Sequence, residues 1–258
     1  MALGRVIFIG AGPGSADLIT VRGAQRLAQA DVVLFDALTD PALRAHAPNA
    51  RWINVGKRGF CDSTGQQTIN ALLVKHANEV ATVVRLKGGD PSVFGRLEEE
   101  LIALAEAGIA CEVVPGVTAA IAAAAATQRP LTRRGAGRSV SLTTAMTQTR
   151  ELRAARTADT EVFYMAGKQL AALARGLLDS GWADDTPVSV VSRAGWPDQL
   201  HSDHTLQTLP RASLLHAGRP TVVTVGEGAR PTVANAVAAK QAKAPAEHPA
   251  LPVKTPSP

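Results

Sequence analysis

The chain is poor in aromatic residues: Phe, Trp and Tyr make up 3% of its 258 residues, and there is one tyrosine. It therefore has no run of stacking platforms of the kind that single-stranded nucleic-acid binders use. Its two cysteines, Cys61 and Cys111, lack metal-ligand spacing. Nothing demands a disulfide or a structural metal, so a reducing, cytoplasmic setting is expected, with a surface thiol at Cys61 and a strand-packing thiol at Cys111. No apolar run is long and uncharged enough to span a bilayer, although Val117 to Ala126 is an apolar segment of helix size. The N-terminus carries one Arg and passes straight into an apolar run, without the pattern of a secretory signal.

What is present is a modest excess of positive charge: 27 Lys and Arg against 22 Asp and Glu, a net +5, with a pI near 9.6. That balance suits an acidic partner. With so few aromatics, an acidic small molecule is favoured over nucleic acid. The length allows two modest domains with enough core to fold unaided.

The most informative stretch is Val83 to Arg96, VVRLKGGDPSVFGR. Its apolar start predicts a buried strand that empties into a Gly-Gly-Asp-Pro loop. Such a loop brings bare backbone to the carboxyl edge of a sheet, where open α/β folds bind ligands, so Gly88, Gly89 and Asp90 are expected to touch one. A plain Gly-rich turn is the alternative for an isolated Gly pair; the cations Arg85, Lys87 and Arg96 around this one favour an anionic ligand.

Five strand, loop and helix units precede residue 134. RVIFI runs into GAGPG at Gly10 to Gly14, with Ser15 or Asp17 expected to cap a helix over Leu18 to Ala28. GAGPG matches a dinucleotide fingerprint poorly, since Pro13 and Gly14 break the spacing. Strands are predicted at Asp31 to Phe35, Arg51 to Val55, Val80 to Leu86 and Glu112 to Val114. Helices are predicted at Asp40 to Ala47, Gln66 to Asn78 and Leu97 to Ala107. The second strand ends at Asp36, and the third delivers Gly56, Lys57 and Arg58 to the same edge. His76 is expected to pack on a helix face, Glu98, Glu99 and Glu100 to be solvated charges at a helix start, and the loop Gly59 to Gly65 to be mobile. This repetition means a parallel α/β sheet. After Pro130 comes a basic, Gly-bearing link, and a second α/β domain with some antiparallel pairing is predicted. Its strands fall at Ser139 to Thr144, Glu161 to Met165, Val188 to Ser192, His204 to Thr208 and Thr221 to Val225; its helices lie near Gln169 to Ser180 and Pro210 to His216. The expected limits are 1–133, 134–229 and a tail over 230–258.

GAGPGSADLIT, VVLFDAL, VGKR, VRLKGGDP.VFGR, VPGVTAA, RPLTRR, VFYMAG and TVVTVGE together resemble the uroporphyrinogen-III C-methyltransferases of the tetrapyrrole methylase superfamily, over about Val6 to Gly228. The resemblance implies two α/β domains with S-adenosylmethionine in the cleft between them, S-adenosylhomocysteine as product, a tetrapyrrole substrate and a homodimer, with neither nucleic acid nor membrane as partner. It places the methyl donor on Pro13, Gly88, Gly89, Asp90, Val93, Thr118, Ala119, Met165 and Ala194, the proton acceptor on Asp36 and the proton donor on Lys57. Arg58, Arg85, Arg96 and Arg133 are the cations expected to meet substrate carboxylates, Arg with bidentate geometry. The implied reaction is methylation of uroporphyrinogen III at two pyrrole carbons to precorrin-2, for sirohaem or cobalamin synthesis. The dehydrogenase and ferrochelatase module fused in some relatives is not in this sequence, so methyl transfer alone is expected. The pattern changes at Phe35, Ala37, Leu97, Gln128, Arg129 and Arg133, mostly where the macrocycle is expected. A different corrin-precursor acceptor, an RNA ribose, or a non-catalytic descendant binding the donor or a tetrapyrrole therefore stay open at this stage.

Beyond Arg230 the residues are mainly Ala, Pro and Lys. Burying them could not offset roughly 1 to 2 kcal/mol per residue of backbone entropy, so this tail is expected to stay unfolded. A chain stopped after Arg230 should keep its melting temperature, its dimer mass and its methyl-transfer rate; a marked loss in any of the three would show that the tail is bound.

Overall fold

The computed structural model describes residues 3–56, 65–145 and 155–232. The loop from Gly59 expected to be mobile falls outside the described residues except for Gly65, as do Lys57, Arg58, Cys61 and the tail beyond 232.

The first five strands are β1 (Arg5–Gly10), β2 (Val32–Phe35), β3 (Arg51–Asn54), β4 (Thr82–Lys87) and β5 (Ala110–Val114). They form one sheet in the order β3-β2-β4-β1-β5, with every pairing parallel. The central strands β1 and β4 are buried almost end to end, which explains the apolar run of β1 and the Val and Leu residues of β4; Arg85 and Lys87 interrupt the latter. One face packs on α2 (Gln66–Glu79) and α3 (Leu97–Glu106) through Leu73, Ala77 and Leu104. The other face packs on α1 (Val21–Leu27) and on the 3-10 turn Pro41–His46 through Leu27, Leu43 and Ala47. The second sheet contains β6 (Val140–Thr144), β7 (Thr160–Tyr164), β8 (Pro187–Ser192), β9 (Leu200–Thr205) and β10 (Thr221–Gly226). Its order is β6-β7-β10-β8-β9; β6 and β7 are parallel and the rest antiparallel. The helix α4 (Ala119–Ala126) packs Ala120 and Ala123 against one face of this sheet. On the other face lies α5 (Leu170–Asp179), and the short α6 (Ser213–His216) leads into β10.

Several expectations are corrected. The first helix is capped by Thr20, whose Oγ1 accepts from Gly23 N–H at 3.0 Å, rather than by Ser15 or Asp17; Ser15 precedes and Asp17 lies within a separate 3-10 turn, Ala16–Leu18. The strand expected at His204 to Thr208 is Leu200–Thr205, because Thr208 folds back in a turn and its Oγ1 accepts from Thr205 N–H. Cys111 is exposed, since β5 is an edge strand. Glu100 is not a solvated charge but fully buried. His76 packs as expected, 3% exposed, with Nδ1 2.9 Å from Glu79.

His216 is fully buried, with Nε2 2.8 Å from Ser202 Oγ and Nδ1 2.9 Å from Ser192 Oγ. Burial, then the charges of His204, Arg219 and His201, push its pKa down to about 4. The unfolded chain takes up this proton near pH 6.5 and the folded chain does not, so the associated stability is present above pH 6.5 and lost as pH falls toward 4. Urea unfolding should show a loss of about 2 kcal/mol between pH 7.5 and 5 from this group, and a flatter slope in the His216→Asn protein.

Candidate active site

The crevice of the first sheet lies between β1 and β4, whose onward connections run to opposite sides of the sheet. Ligands of open α/β sheets bind at such a switch point. Here the two strand exits join: Gly89 N–H donates to Gly12 O at 2.7 Å and Gly12 N–H to Gly89 O at 3.3 Å. The exit of β5 closes on both. A Cβ on Gly116 would lie 2.4 Å from Gly89 O and 2.7 Å from Gly10 Cα. Asp90 ties the cluster together, with Oδ2 accepting from Gly116 N–H at 2.8 Å and Oδ1 from Ser92 N–H at 2.7 Å.

Above this floor is a cavity of about 260 Å³ between the strand ends of the first sheet and the face of the second. Pro13 enters its wall after β1; Gly88, Gly89, Asp90 and Val93 follow β4; Thr118 and Ala119 follow β5; Met165 follows β7; and Ala194 follows β8. All nine residues expected to hold a ligand line this one cavity, and so does Asp36. A Cβ at Gly89 would meet no protein atom closer than 3.9 Å, so the space beside it is the cavity itself.

Two ties hold the sheets across the cavity. Tyr164 Oη is 2.7 Å from Thr118 Oγ1 and accepts from Ala120 N–H at 3.3 Å, while Phe94 packs edge-on against the Tyr164 ring at 5.0 Å. At the other side Trp196 Nε1 donates to Pro13 O at 3.1 Å, Ser15 N–H donates to Gly195 O at 2.8 Å, and the Arg193 guanidinium stacks on the indole. Sequence reasoning missed Tyr164, Trp196 and Arg193. The usable signal was position, because each lies at or just after the end of a predicted strand, where the first-sheet ligand residues also lie.

The expected cations are placed differently. The Arg85 side chain is 3% exposed. Its Nη2 donates to Asp36 Oδ1 at 2.6 Å, its Nε to Glu100 Oε1 at 3.0 Å, and its Nη1 to Leu86 O at 3.2 Å. Arg85 is thus a strut behind the wall, with its donors already used. Burial opposes its charge, but Asp36 and Glu100 outweigh that and raise its pKa. The Lys87 ammonium bonds Glu100 Oε2 at 2.7 Å, and burial, then the neighbouring Arg85, lowers its pKa despite Glu100. Arg96 is exposed, forks onto Glu99 at 2.8 and 2.7 Å, and lines a separate shallow groove. Arg133 donates to Arg230 O near the start of β7, roughly 13 Å of strand from the cavity end at Tyr164. Arg129, at a changed position expected near the macrocycle, is buried against Asp203 and Ala229 O. Lys57 and Arg58 lie outside the described residues, but Gly56 just before them presses on the Asp36–Ala37 backbone, where a Cβ would lie 2.0 Å from Ala37 N.

The pattern of the family Tetrapyrrole (Corrin/Porphyrin) Methylases matches residues 5–210. This chain belongs to the tetrapyrrole methylases. The methylase is 42% identical over 239 residues to a uroporphyrinogen-III C-methyltransferase of Pseudomonas aeruginosa, covering 91% of this chain and 98% of that protein. It is 43% identical over 230 residues to siroheme synthase 1 of Klebsiella pneumoniae, covering 87% of this chain and 49% of that one. In three dimensions it is similar to the uroporphyrin-III C-methyltransferase of Thermus thermophilus complexed with S-adenosylhomocysteine, with a TM-score of 0.76 and 34% identity over 87% of this chain and 98% of that one.

The glycines of this methylase divide by what their Cβ would meet. Gly116→Ala drives a methyl into Gly89 O and should lower stability by about 2 kcal/mol or more. Gly89→Ala meets open space and should cost only the left-handed backbone conformation, φ +70, about 1 to 2 kcal/mol. Urea unfolding of the two proteins ranks them; equal losses would mean that the contact at Gly116 relaxes.

Proposed function

We propose that this methylase transfers methyl groups from S-adenosylmethionine to two pyrrole carbons of uroporphyrinogen III, giving precorrin-2 for sirohaem or cobalamin synthesis. The observation that carries the reading is the single cavity at the switch point, which gathers all nine expected donor-binding residues and Asp36. Identity of 42% along nearly the whole Pseudomonas aeruginosa enzyme supports this choice of acceptor.

The cavity fits such a donor. Its bare glycine loop leaves room for a ribose or an amino-acid group, and Val93, Ala119, Met165 and Ala194 supply apolar surface. When bound, S-adenosylmethionine supplies an electrophilic methyl group on a sulfonium. The protein's work is then to hold donor and acceptor carbon in line and to exclude water. Strand-end loops from both sheets do the holding, and the Tyr164 and Trp196 ties keep the two walls in register. The pyrrole carbon already bears an acidic side chain, so the incoming methyl group makes it quaternary, the positive charge passes to the ring, and the macrocycle then loses a proton from a neighbouring position. Asp36 is the carboxylate in the wall suited to that step. Its Oδ1 is held by Arg85, while its Oδ2 has only a long 3.4 Å contact from Gly88 N–H and keeps lone pairs for the proton. Lys57 is the proposed donor of a proton to the macrocycle, and Arg58 the proposed partner of a substrate carboxylate. The reading includes a homodimer working in the cytoplasm. No helix among the described residues is long and apolar enough to cross a membrane.

Purified protein incubated with S-adenosylmethionine and uroporphyrinogen III should develop the red fluorescence of the oxidised dimethylated product; no product with an active donor would overturn the reading. Asp36→Asn should bind S-adenosylmethionine normally by calorimetry and lose roughly 100-fold in turnover. Unchanged turnover would leave Asp36 a structural cap.

A further inference from the structure

A chain of four charges runs from the cavity wall, where Asp36 and Lys87 lie, to Arg85 and Glu100 behind it. Asp36 bonds Arg85, Arg85 bonds Glu100, and Glu100 bonds Lys87, at 2.6, 3.0 and 2.7 Å. The side-chain exposures along this chain are 31% for Asp36, 3% for Arg85, 0% for Glu100 and 3% for Lys87. Asp36 is thus the one member with a substantial opening. Arg85 and Lys87 stand two residues apart on β4 and share a face of the sheet, and Glu100 meets both from the first turn of α3. Gln66 Nε2 adds a 3.3 Å bond to Glu100 Oε1.

Burying such ions is expensive, and apolar side chains of similar volume would give a core at least as stable. The arrangement is therefore weakly explained as a source of stability. It is well explained as a device for orientation. The Arg85 guanidinium is held at Nε by Glu100 and at Nη1 by Leu34 O and Leu86 O, which leaves Nη2 aimed at Asp36. Without Glu100 the guanidinium keeps only the 3.4 and 3.2 Å contacts at Nη1 and loses the charged partner that fixes it at Nε. Without Lys87, Glu100 would carry an uncompensated share of charge.

We propose that Glu100 is a positioning residue for methyl transfer: it aims Arg85 at Asp36 and so fixes the carboxylate that faces the cavity, with Lys87 keeping the buried set neutral. The proposal rests on the reading of Asp36 as the group that accepts the proton.

The test uses the full chain. Glu100→Gln keeps the shape and removes the charge. S-adenosylmethionine affinity should stay within about two-fold, because Glu100 does not itself line the cavity, while kcat should fall about ten-fold or more. In an Asp36→Asn background the same substitution should change kcat by less than about two-fold, since both changes act on one group. A purely structural Glu100 would give equal losses in both backgrounds and overturn the proposal. Should Glu100→Gln fold poorly, the Glu100→Gln/Lys87→Met protein restores neutrality and should show the same loss of kcat with a recovered melting temperature; wild-type kcat in it would also overturn the proposal. A second arm needs no acceptor. The Arg85 Nε–H resonance, identified by its loss in Arg85→Lys, should be protected from solvent exchange in the wild type and should shift and lose protection in Glu100→Gln. An unmoved, protected resonance overturns the inference even if the wild type methylates nothing, whereas an inactive wild type with a shifted resonance removes only the proposed reaction.

Discussion

The cavity floor depends on backbone meeting backbone. Gly10, Gly89 and Gly116 leave three adjacent parallel strands and approach so closely that a Cβ on Gly10 or Gly116 would lie 2.4 to 2.7 Å from a neighbouring main-chain atom. Parallel strands are about 4.8 Å apart, and side chains at Gly10 or Gly116 would force them to splay. Without side chains, the Gly12 and Gly89 amides pair, Asp90 captures Gly116 N–H, and three loops become one rigid shelf. The loops that bring Pro13, Val93 and Thr118 to the cavity start from that shelf.

The second constraint is electrostatic. β4 is the most buried segment of its sheet, yet it carries two cations, each below 4% exposed. A helix glutamate and a cleft aspartate neutralise them, and no partner can be removed without stranding a charge. The face of the first sheet that holds α2 and α3 is therefore more than a hydrophobic layer: it carries a fixed polarity from the interior to the cavity. The second sheet contributes differently, through Tyr164 and the Arg193 to Trp196 turn, which grip the first-sheet loops by hydrogen bonds and ring contacts.

Much of this was legible in the sequence. Nine of the ten strands among the described residues were marked to within about two residues, most securely β1, β8 and β10, since a strand buried on both faces has little choice of composition. The strand end followed by Gly-Gly-Asp-Pro pointed to a ligand edge shared with Asp36, while Thr118, Ala119, Met165 and Ala194 were placed there only by the family resemblance; the structure brings them all to one cavity. The charges were harder. Glu98, Glu99 and Glu100 look alike in a helix start, and only the phase of α3 against β4 decides that the third turns inward. Arg85 read as a cation for the ligand because its period on β4 was weighed without the helix that covers that face. β9 was displaced because its inward residues, Ser202 and His204, are polar and half-buried, and Ser202 bonds His204 and His216 rather than meeting an apolar layer.

The rim of the cavity also bears on how such a chain can change over time. Phe94, Met165 and Arg193 all hold left-handed backbone, with φ of 53, 57 and 52, although none is glycine. Each conformation costs about 1 to 2 kcal/mol that a glycine would largely avoid. Drift toward greater thermal robustness would therefore favour losing these side chains, while the walls that they form around the cavity favour keeping them. Selection for heat resistance alone would be expected to erode the rim first and to leave the glycine shelf beneath it unchanged.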